Sequence, residues 1–195
     1  GSPIRQELLS GNPENARAYC RFETKKPVLL IVGGSSGSKV INDAIRAQLP
    51  VLLKDFQIIH LCGKGNLDNH LLHTKGYAQF EYISQQLKDM FALADIVISR
   101  AGANAICELL ALRKPNILIP LSAKASRGDQ ILNAKSFEKQ GFSYVIEEEN
   151  LTASTLLAAI DAVSGQKDVY LHNMSSSGQM DSIRTILQII EKELH

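Results

Sequence analysis

A glycine- and serine-rich string is the first place in the sequence where residue types and spacing suggest chemistry. The string GGSSGS occupies residues 33–38, directly after an apolar run and before a helical pattern. Glycines let backbone N–H groups approach a phosphate closely, and the N-terminus of a following helix favours negative charge. The string therefore predicts a phosphate or diphosphate site at Gly34 and Ser35, where the serine hydroxyl adds a donor. A tight strand-to-helix turn without a ligand is the alternative.

The type of nucleotide is narrowed by motifs that the sequence lacks. It contains no GxxxxGK[ST] string, which excludes a Walker A phosphate loop. A dinucleotide site needs GxGxxG and, about 20 residues later, an acidic residue at the end of the second strand. Here the second predicted strand runs into His60-Leu61-Cys62-Gly63, so NAD is disfavoured. The SxxK string at 36–39 has no SDN or KTG partner and is treated as a coincidence.

A second candidate lies in the string SRAGANAICE at residues 99–108, after the fourth apolar run. Gly102 suits a sharp turn, and Asn104 is the residue expected to cap the next helix. Glu108 then lies about one turn into that helix, where its carboxylate can accept two hydrogen bonds from a vicinal diol such as a ribose. The alternative is a first-turn glutamate that only stabilises the helix dipole.

A third candidate follows the fifth apolar run, where a long polar loop enters a helix with Asp129, Gln130 and Asn133 in its first turns. Residues 123–139 contain four basic and two acidic side chains, a balance that suits an anionic ligand. A solvated helix face is the alternative. Together the three loops offer groups for a phosphate, a diol and polar hydroxyls, which indicates a sugar nucleotide.

These loops need a scaffold that brings them to one edge, and the apolar pattern supplies it. Nearly continuous apolar runs are typical of strands buried on both faces; they occur at 27–32, 56–61, 78–83, 95–99, 116–121 and 142–146. Helical patterns alternate with them at 38–49, 66–74, 87–93, 103–112, 129–140, 152–163, 167–175 and 180–193. This alternation predicts a doubly wound, Rossmann-like α/β domain with a parallel sheet of about six strands, which binds ligands beyond the strands' carboxyl ends.

Residues 1–26 are polar and punctuated by proline and glycine, with a short helix predicted around Asn15–Tyr19. We interpret them as an interdomain linker and residues 27–195 as the ligand-binding domain.

Composition excludes several classes of protein. The 195 residues carry a net charge of +1, which disfavours a nucleic-acid binder that depends on a broad basic field. No apolar run approaches the roughly 20 residues that span a bilayer, and residues 1–12 lack a secretory signal. The three cysteines form no CxxC pair, and no Asp-x-Asp occurs. We therefore expect a soluble cytoplasmic domain without a metal site or a cofactor.

The same motifs resemble those of a known family. LLIVGGSSGSKVIN, CGKGN, ALADIVISRAGANAICELLAL and IPLSAKASRGDQILNA occur in the order found in the peptidoglycan N-acetylglucosaminyltransferases, and the resemblance to their C-terminal half covers nearly the whole chain. It implies one half of a two-domain B-type (GT-B) glycosyltransferase. Such enzymes move N-acetylglucosamine from UDP-N-acetylglucosamine (UDP-GlcNAc) to lipid I, undecaprenyl-pyrophosphoryl-MurNAc-pentapeptide, and form lipid II. Residues 27–195 would then be the UDP-GlcNAc-binding domain.

The resemblance also implies roles for individual residues. Ser35 and its loop would contact the diphosphate, with Arg5 close to it. Ile83 would meet the uracil through its backbone, and Glu108 would hold the ribose hydroxyls. The donor site would also be lined by a run of four residues, Ala103, Asn104, Ala105 and Ile106. Gln130 would contact the hydroxyls of the sugar.

Two further expectations follow from the resemblance. Asp129 stands where the family often has a glutamine, so its share in sugar recognition is left open. The catalytic base, the lipid I site and the membrane-facing surface belong to an N-terminal domain that this sequence does not contain. The chain is therefore expected to bind donor without transferring sugar, and the full-length enzyme to be peripheral on the cytoplasmic face of the membrane. The alternatives are a separate donor-binding subunit of another lipid-linked N-acetylglucosamine transferase and a non-catalytic nucleotide-binding module.

Overall fold

A six-stranded sheet forms the centre of the computed structural model, which describes residues 4–177. The strands are β1 Val28–Val32, β2 Gln57–Leu61, β3 Tyr77–Phe80, β4 Ile96–Ser99, β5 Asn116–Leu118 and β6 Tyr144–Val145. Their order is β3-β2-β1-β4-β5-β6, and every neighbouring pair is parallel. The predicted doubly wound, Rossmann-like sheet is confirmed, including the number of strands.

The continuous apolar character of the strands follows from burial on both faces. Successive side chains of a strand point to opposite faces of the sheet. In β1, Val28 and Leu30 belong to the core on one face, while Leu29 and Ile31 belong to the core on the other. All four are essentially inaccessible to solvent, so both faces of this central strand lie in an apolar core.

The helices pack on both faces of the sheet. They are α1 Pro13–Tyr19, α2 Lys39–Ala47, α3 Leu49–Leu52, α4 Leu87–Leu93, α5 Ala103–Ala111, α6 Asp129–Lys139, α7 Ala153–Gly165 and α8 Lys167–Ser176, with 3-10 turns at Gln6–Ser10, Asn69–Leu71 and Glu148–Asn150. Their starts reflect local capping: Asn12 accepts a hydrogen bond from the N–H of Glu14, and Thr152 forms a capping box with Thr155. The helix predicted at 180–193 lies outside the described residues.

The helix predicted over residues 66–74 is wrong, because this segment contains only the single 3-10 turn Asn69–Leu71. A side chain from the sheet takes the backbone groups that a helix would use. Gln79 accepts a hydrogen bond from the N–H of Asp68 at 2.9 Å and donates one to the carbonyl of Asp68 at 3.0 Å. Bonds of this kind to a neighbouring element replace the bonds within a helix.

The N-terminal segment lies outside the sheet but packs firmly against it. Leu8 and Ala16 are buried in the core on one face, and α1 packs against α4. The N–H of Asn12 donates to the carboxylate of Asp89 on α4 at 2.7 Å. These contacts attach the segment to the domain. Its role as an interdomain linker, and the boundary at residue 27, stay predictions.

Candidate functional site

The glycine-rich loop between β1 and α2 has the geometry that its sequence predicts. Gly34 and Gly37 both adopt a left-handed backbone, with φ of +90° and +72°. A Cβ on Gly37 would lie 2.1 Å from the carbonyl oxygen of Cys62, so only glycine fits this close approach. Gly34 and Ser35 are exposed at the carboxyl end of β1. The loop therefore presents backbone and hydroxyl groups outward, next to the N-terminus of a helix.

The loop after β2 packs directly against this glycine-rich loop. Asn66 donates its side-chain amide to the carbonyl of Ser36 at 3.2 Å. A Cβ on Gly63, whose φ is +90°, would lie 2.4 Å from the backbone nitrogen of Gly37. The two loops are thus in direct backbone contact. The sequence predicts no role for this second loop, although the glycines on either side of Lys64 are a signal of close backbone packing.

Glu108 is a buried carboxylate on α5, and its partner is Arg5. The Arg5 guanidinium donates from Nε to Oε1 of Glu108 at 2.8 Å and from Nη2 to Oε2 at 3.0 Å. The hydrogen bond to Glu108 is the main cause that raises the pKa of Arg5 above its ordinary value. Two residues predicted separately for the donor site therefore meet in one bidentate ion pair.

Two local predictions about α5 are corrected. The N-cap of α5 is Gly102, so Asn104 lies inside the first turn rather than capping it. Glu108 is the sixth residue of the helix and hence in its second turn, which removes the alternative of a first-turn glutamate acting on the helix dipole. The carboxylate is held by a side chain from elsewhere in the fold instead.

The first turn of α5 presents its residues unequally. Asn104 is exposed and its neighbours Ala103 and Ala105 are half-buried, so all three are partly accessible to solvent. Ile106 points into the core, and its N–H donates to the carbonyl of Gly102 at 3.1 Å. The side chain of Ile106 is therefore a packing element of the site.

Gln130, at the start of α6, forms hydrogen bonds with the loops after β4 and β5. Gln130 accepts hydrogen bonds through Oε1 from the N–H of Leu121 at 2.9 Å and of Ala101 at 3.3 Å. Its Nε2 faces Gly102, 4.0 Å from where a Cβ of that glycine would lie, and is the end of the amide that can donate to a ligand. The neighbouring Asp129 is exposed.

Asn133, one of the three polar residues named in the third sequence candidate, belongs to this arrangement, although no individual role is predicted for it. Its side-chain amide donates to the carbonyl of Ala101 at 3.1 Å, beside the bond from the Ala101 N–H to Gln130. The signal available in the sequence was an amide three residues after Gln130, which places both on one face of a helix.

Ile83, predicted to meet the uracil, lies in the loop after β3 and is mostly buried. The adjacent Tyr82 is 73% exposed.

Residues 28–188 match the family described as Glycosyltransferase family 28 C-terminal domain. The chain belongs to this family. It is 59% identical over 191 residues to a protein of Lachnospira eligens and 58% identical over 191 residues to one of Geobacillus thermodenitrificans. Both are named UDP-N-acetylglucosamine--N-acetylmuramyl-(pentapeptide) pyrophosphoryl-undecaprenol N-acetylglucosamine transferase.

The alignments cover 98% of this chain and 54% of each relative, so the chain spans about half the length of the curated relatives that it matches. Among solved structures, it resembles MurG of Acinetobacter baumannii with a TM-score of 0.64 and 22% identity, over 97% of this chain and 55% of that one. The predicted family is confirmed, and so is the fold of one half of a GT-B glycosyltransferase.

Within residues 4–177, no three histidine, cysteine, aspartate or glutamate side chains lie together as a metal would require. No helix in the same range is long and apolar enough to cross a membrane. The chemistry visible at the carboxyl edge is that of backbone N–H groups, amides, a guanidinium and a carboxylate, which is suited to binding a polar anion.

Proposed function

We propose that this chain is the donor-binding part of a glycosyltransferase that moves N-acetylglucosamine from UDP-GlcNAc to lipid I in peptidoglycan synthesis. The observation that carries the proposal is the 58–59% identity, along 98% of the chain, to proteins named for that transfer. The site supports it independently, because its loops offer donors for a diphosphate and a buried carboxylate for a diol.

Diphosphate binding is assigned to the loop between β1 and α2. Gly34 and Ser35 are exposed there, and the N-terminus of α2 adds a partial positive charge. Arg5 would lie near the phosphates and add a guanidinium whose charge is partly balanced by Glu108.

Uridine and sugar binding are assigned to the remaining loops. Glu108 would accept hydrogen bonds from the ribose hydroxyls, since a carboxylate has about four acceptor positions and Arg5 occupies two. Ile83 would contact the uracil through its backbone, and Ala103, Asn104 and Ala105 would border the nucleotide. Gln130 would donate from Nε2 to a sugar hydroxyl, with Asp129 beside it.

The acceptor side of the reaction belongs, in this proposal, to the other half of the full-length enzyme. A general base must come within about 3 Å of the acceptor hydroxyl, and an aligned pair of substrates contributes several kcal/mol toward the barrier. Because the acceptor is a lipid, the full-length enzyme would work at the cytoplasmic surface of the membrane. The chain alone would hold the donor without transferring its sugar.

Calorimetric titration tests the donor assignment directly. UDP-GlcNAc and UDP should bind, and NADH should not. Equal affinities for UDP-GlcNAc, UDP-GalNAc and UDP would instead favour a nucleotide-binding module that ignores the sugar. Binding of NADH with no binding of UDP would contradict the proposal.

A transfer assay tests whether sugar transfer requires both halves of the enzyme. Radiolabelled GlcNAc transfer to a lipid I analogue would be measured with this chain alone, and again after adding the N-terminal half of a homologous enzyme. We expect lipid II only from the mixture. Lipid II formed by this chain alone at the rate of a full-length enzyme would refute the assignment.

A further inference from the structure

Arg100 is a mostly buried arginine at the carboxyl edge of the sheet to which the donor site described above gives no role. It directly follows β4, and its side chain is only 13% exposed. Its Nη2 donates to the hydroxyl of Ser38 at 2.8 Å and to Oε1 of Glu148 at 3.3 Å, and its Nη1 donates to the carbonyl of Ile119 at 3.2 Å. One guanidinium therefore binds residues that follow three other strands.

The contact with Ser38 reaches the glycine-rich loop. Ser38 is the last residue of that loop and the N-cap of α2, where its hydroxyl oxygen also accepts a hydrogen bond from the N–H of Ile41 at 3.3 Å. Ser38 is buried, so no solvent molecule replaces either donor easily. Arg100 thus fixes the point where the loop becomes the helix.

The contact with Glu148 reaches the loop after β5. Glu148 is 16% exposed and lies in the segment after β6, and its Oε2 accepts a hydrogen bond from the N–H of Ser122 at 3.0 Å. The pair of Arg100 and Glu148 consequently ties together the loops after β1, β4, β5 and β6. Such a link depends on the rigid, planar fork of an arginine, which donates in several fixed directions.

We propose that Arg100 is a positioning residue for donor binding, which acts through Ser38 on the glycine-rich loop and through Glu148 on the loop after β5. This inference rests on the proposed function, in which the glycine-rich loop binds the diphosphate. This role requires no contact between Arg100 and the donor. Its loss would displace the diphosphate-binding groups and leave the uridine-binding groups near Glu108 in place.

The decisive measurement is the ratio of the affinities for UDP and for uridine, by calorimetry and by NMR titration. In Arg100→Gln, we expect UDP affinity to fall at least tenfold and uridine affinity to change less than threefold. Ser38→Ala should show the same selectivity with a smaller loss. Arg113→Gln removes an equal charge from an exposed position just beyond α5 and should leave both affinities unchanged.

Arg100→Lys separates positioning from charge. Lysine keeps the positive charge without the fork, so we expect most of the loss in UDP affinity to persist. Full recovery in Arg100→Lys would overturn the positioning role in favour of a simple charge effect. Equal losses for UDP and uridine in Arg100→Gln, or no loss for either, would also overturn it. Circular dichroism and the melting temperature show whether each variant is folded.

Hydrogen exchange measured without added nucleotide keeps the two proposals distinguishable. Arg100→Gln should speed amide exchange across residues 33–42 and 121–128 and leave α7 unchanged. If the unsubstituted chain binds no UDP, the proposed function fails, and the exchange result alone decides whether Arg100 fixes these loops. Unchanged exchange in both loops would overturn the inference.

Discussion

The guanidinium of Arg5 binds the carboxylate of Glu108 through two hydrogen bonds, although the two residues are 103 positions apart in the chain. Arg5 precedes the first 3-10 turn, and Glu108 is buried on α5. The N-terminal segment therefore contributes a charged group to the carboxyl edge of the sheet, where the donor is proposed to bind. A ligand diol at Glu108 would lie next to this guanidinium.

The first prediction concerns Glu108 as the proposed ribose ligand. Glu108→Ala should weaken UDP binding by about 1–3 kcal/mol, because charge-assisted hydrogen bonds to the ribose hydroxyls are lost. Calorimetry measures the change, and Glu138→Ala at an exposed position of α6 is the control. Unchanged UDP affinity in a folded Glu108→Ala variant would show that the ribose assignment is wrong.

The second prediction concerns the stability of the pair. Arg5→Ala leaves the buried Glu108 carboxylate without either donor, and it should lower the free energy of unfolding by about 1 kcal/mol. The expected loss of stability is small because half of the Arg5 side chain is exposed to solvent, which screens its attraction to Glu108. Urea denaturation measures it, with Arg113→Ala as the matched control. A loss no larger than that of the control would mean that the pair contributes nothing to stability.

The third prediction compares two glycines of the loop after β2. Gly63 and Gly65 both have positive φ, so alanine strains the backbone at either position. Only at Gly63 does the added Cβ meet other atoms, 2.4 Å from the nitrogen of Gly37, whereas the space at Gly65 is open. Gly63→Ala should therefore lower UDP affinity far more than Gly65→Ala. Equal losses in the two variants would show that the contact between the loops does not affect binding.

Much of this arrangement could be predicted from the sequence because burial on both faces leaves a strong pattern. Both faces of β1 are buried and all five of its residues are apolar, so its range can be recognised in the sequence. The rule that ligands bind beyond the strand ends then placed the candidate loops at one edge.

Contacts between residues that lie far apart in the sequence could not be predicted. The ion pair of Arg5 with Glu108 and the hydrogen bond from Arg100 to Ser38 depend on how distant parts of the chain pack together. Neither the spacing nor the types of these residues predict such contacts. The helix predicted over residues 66–74 is wrong for the same reason. The spacing of apolar and polar residues there is typical of a helix, but the side chain of Gln79 forms two hydrogen bonds with the backbone of Asp68.

The fourth prediction is that donor binding does not require a divalent metal. The proposed diphosphate site meets negative charge with backbone N–H groups, the N-terminus of α2 and Arg5. Calorimetric titration of UDP-GlcNAc should give the same affinity with and without EDTA, at matched ionic strength. A large loss of affinity on chelation, restored by adding magnesium, would contradict this.

A buried histidine leads to the fifth prediction. His60, on β2, is fully buried, with Nδ1 2.7 Å from the hydroxyl of Tyr77 and Nε2 2.8 Å from Oδ1 of Asn42. The amide of Asn42 donates to the carbonyl of Cys62, and Arg46 donates to the Tyr77 hydroxyl at 3.3 Å. These directions assign a neutral ring that donates from Nε2 and accepts at Nδ1.

This neutral ring should make the fold sensitive to acid. Burial, and after it the charge of Arg46, lowers the pKa of His60 to about 3 from its ordinary 6.5. Between these values the unfolded chain binds one more proton than the folded chain, so stability falls as the pH falls through this window. The limiting slope of the free energy of unfolding is about 1.4 kcal/mol per pH unit.

Urea denaturation from pH 8 to pH 4.5 should show a steeper loss of stability for the unsubstituted chain than for His60→Gln, which lacks the titrating ring. His73→Gln, at an exposed position, is the matched control. Equal slopes in all three proteins would show that His60 takes up a proton in the folded chain as readily as in the unfolded chain.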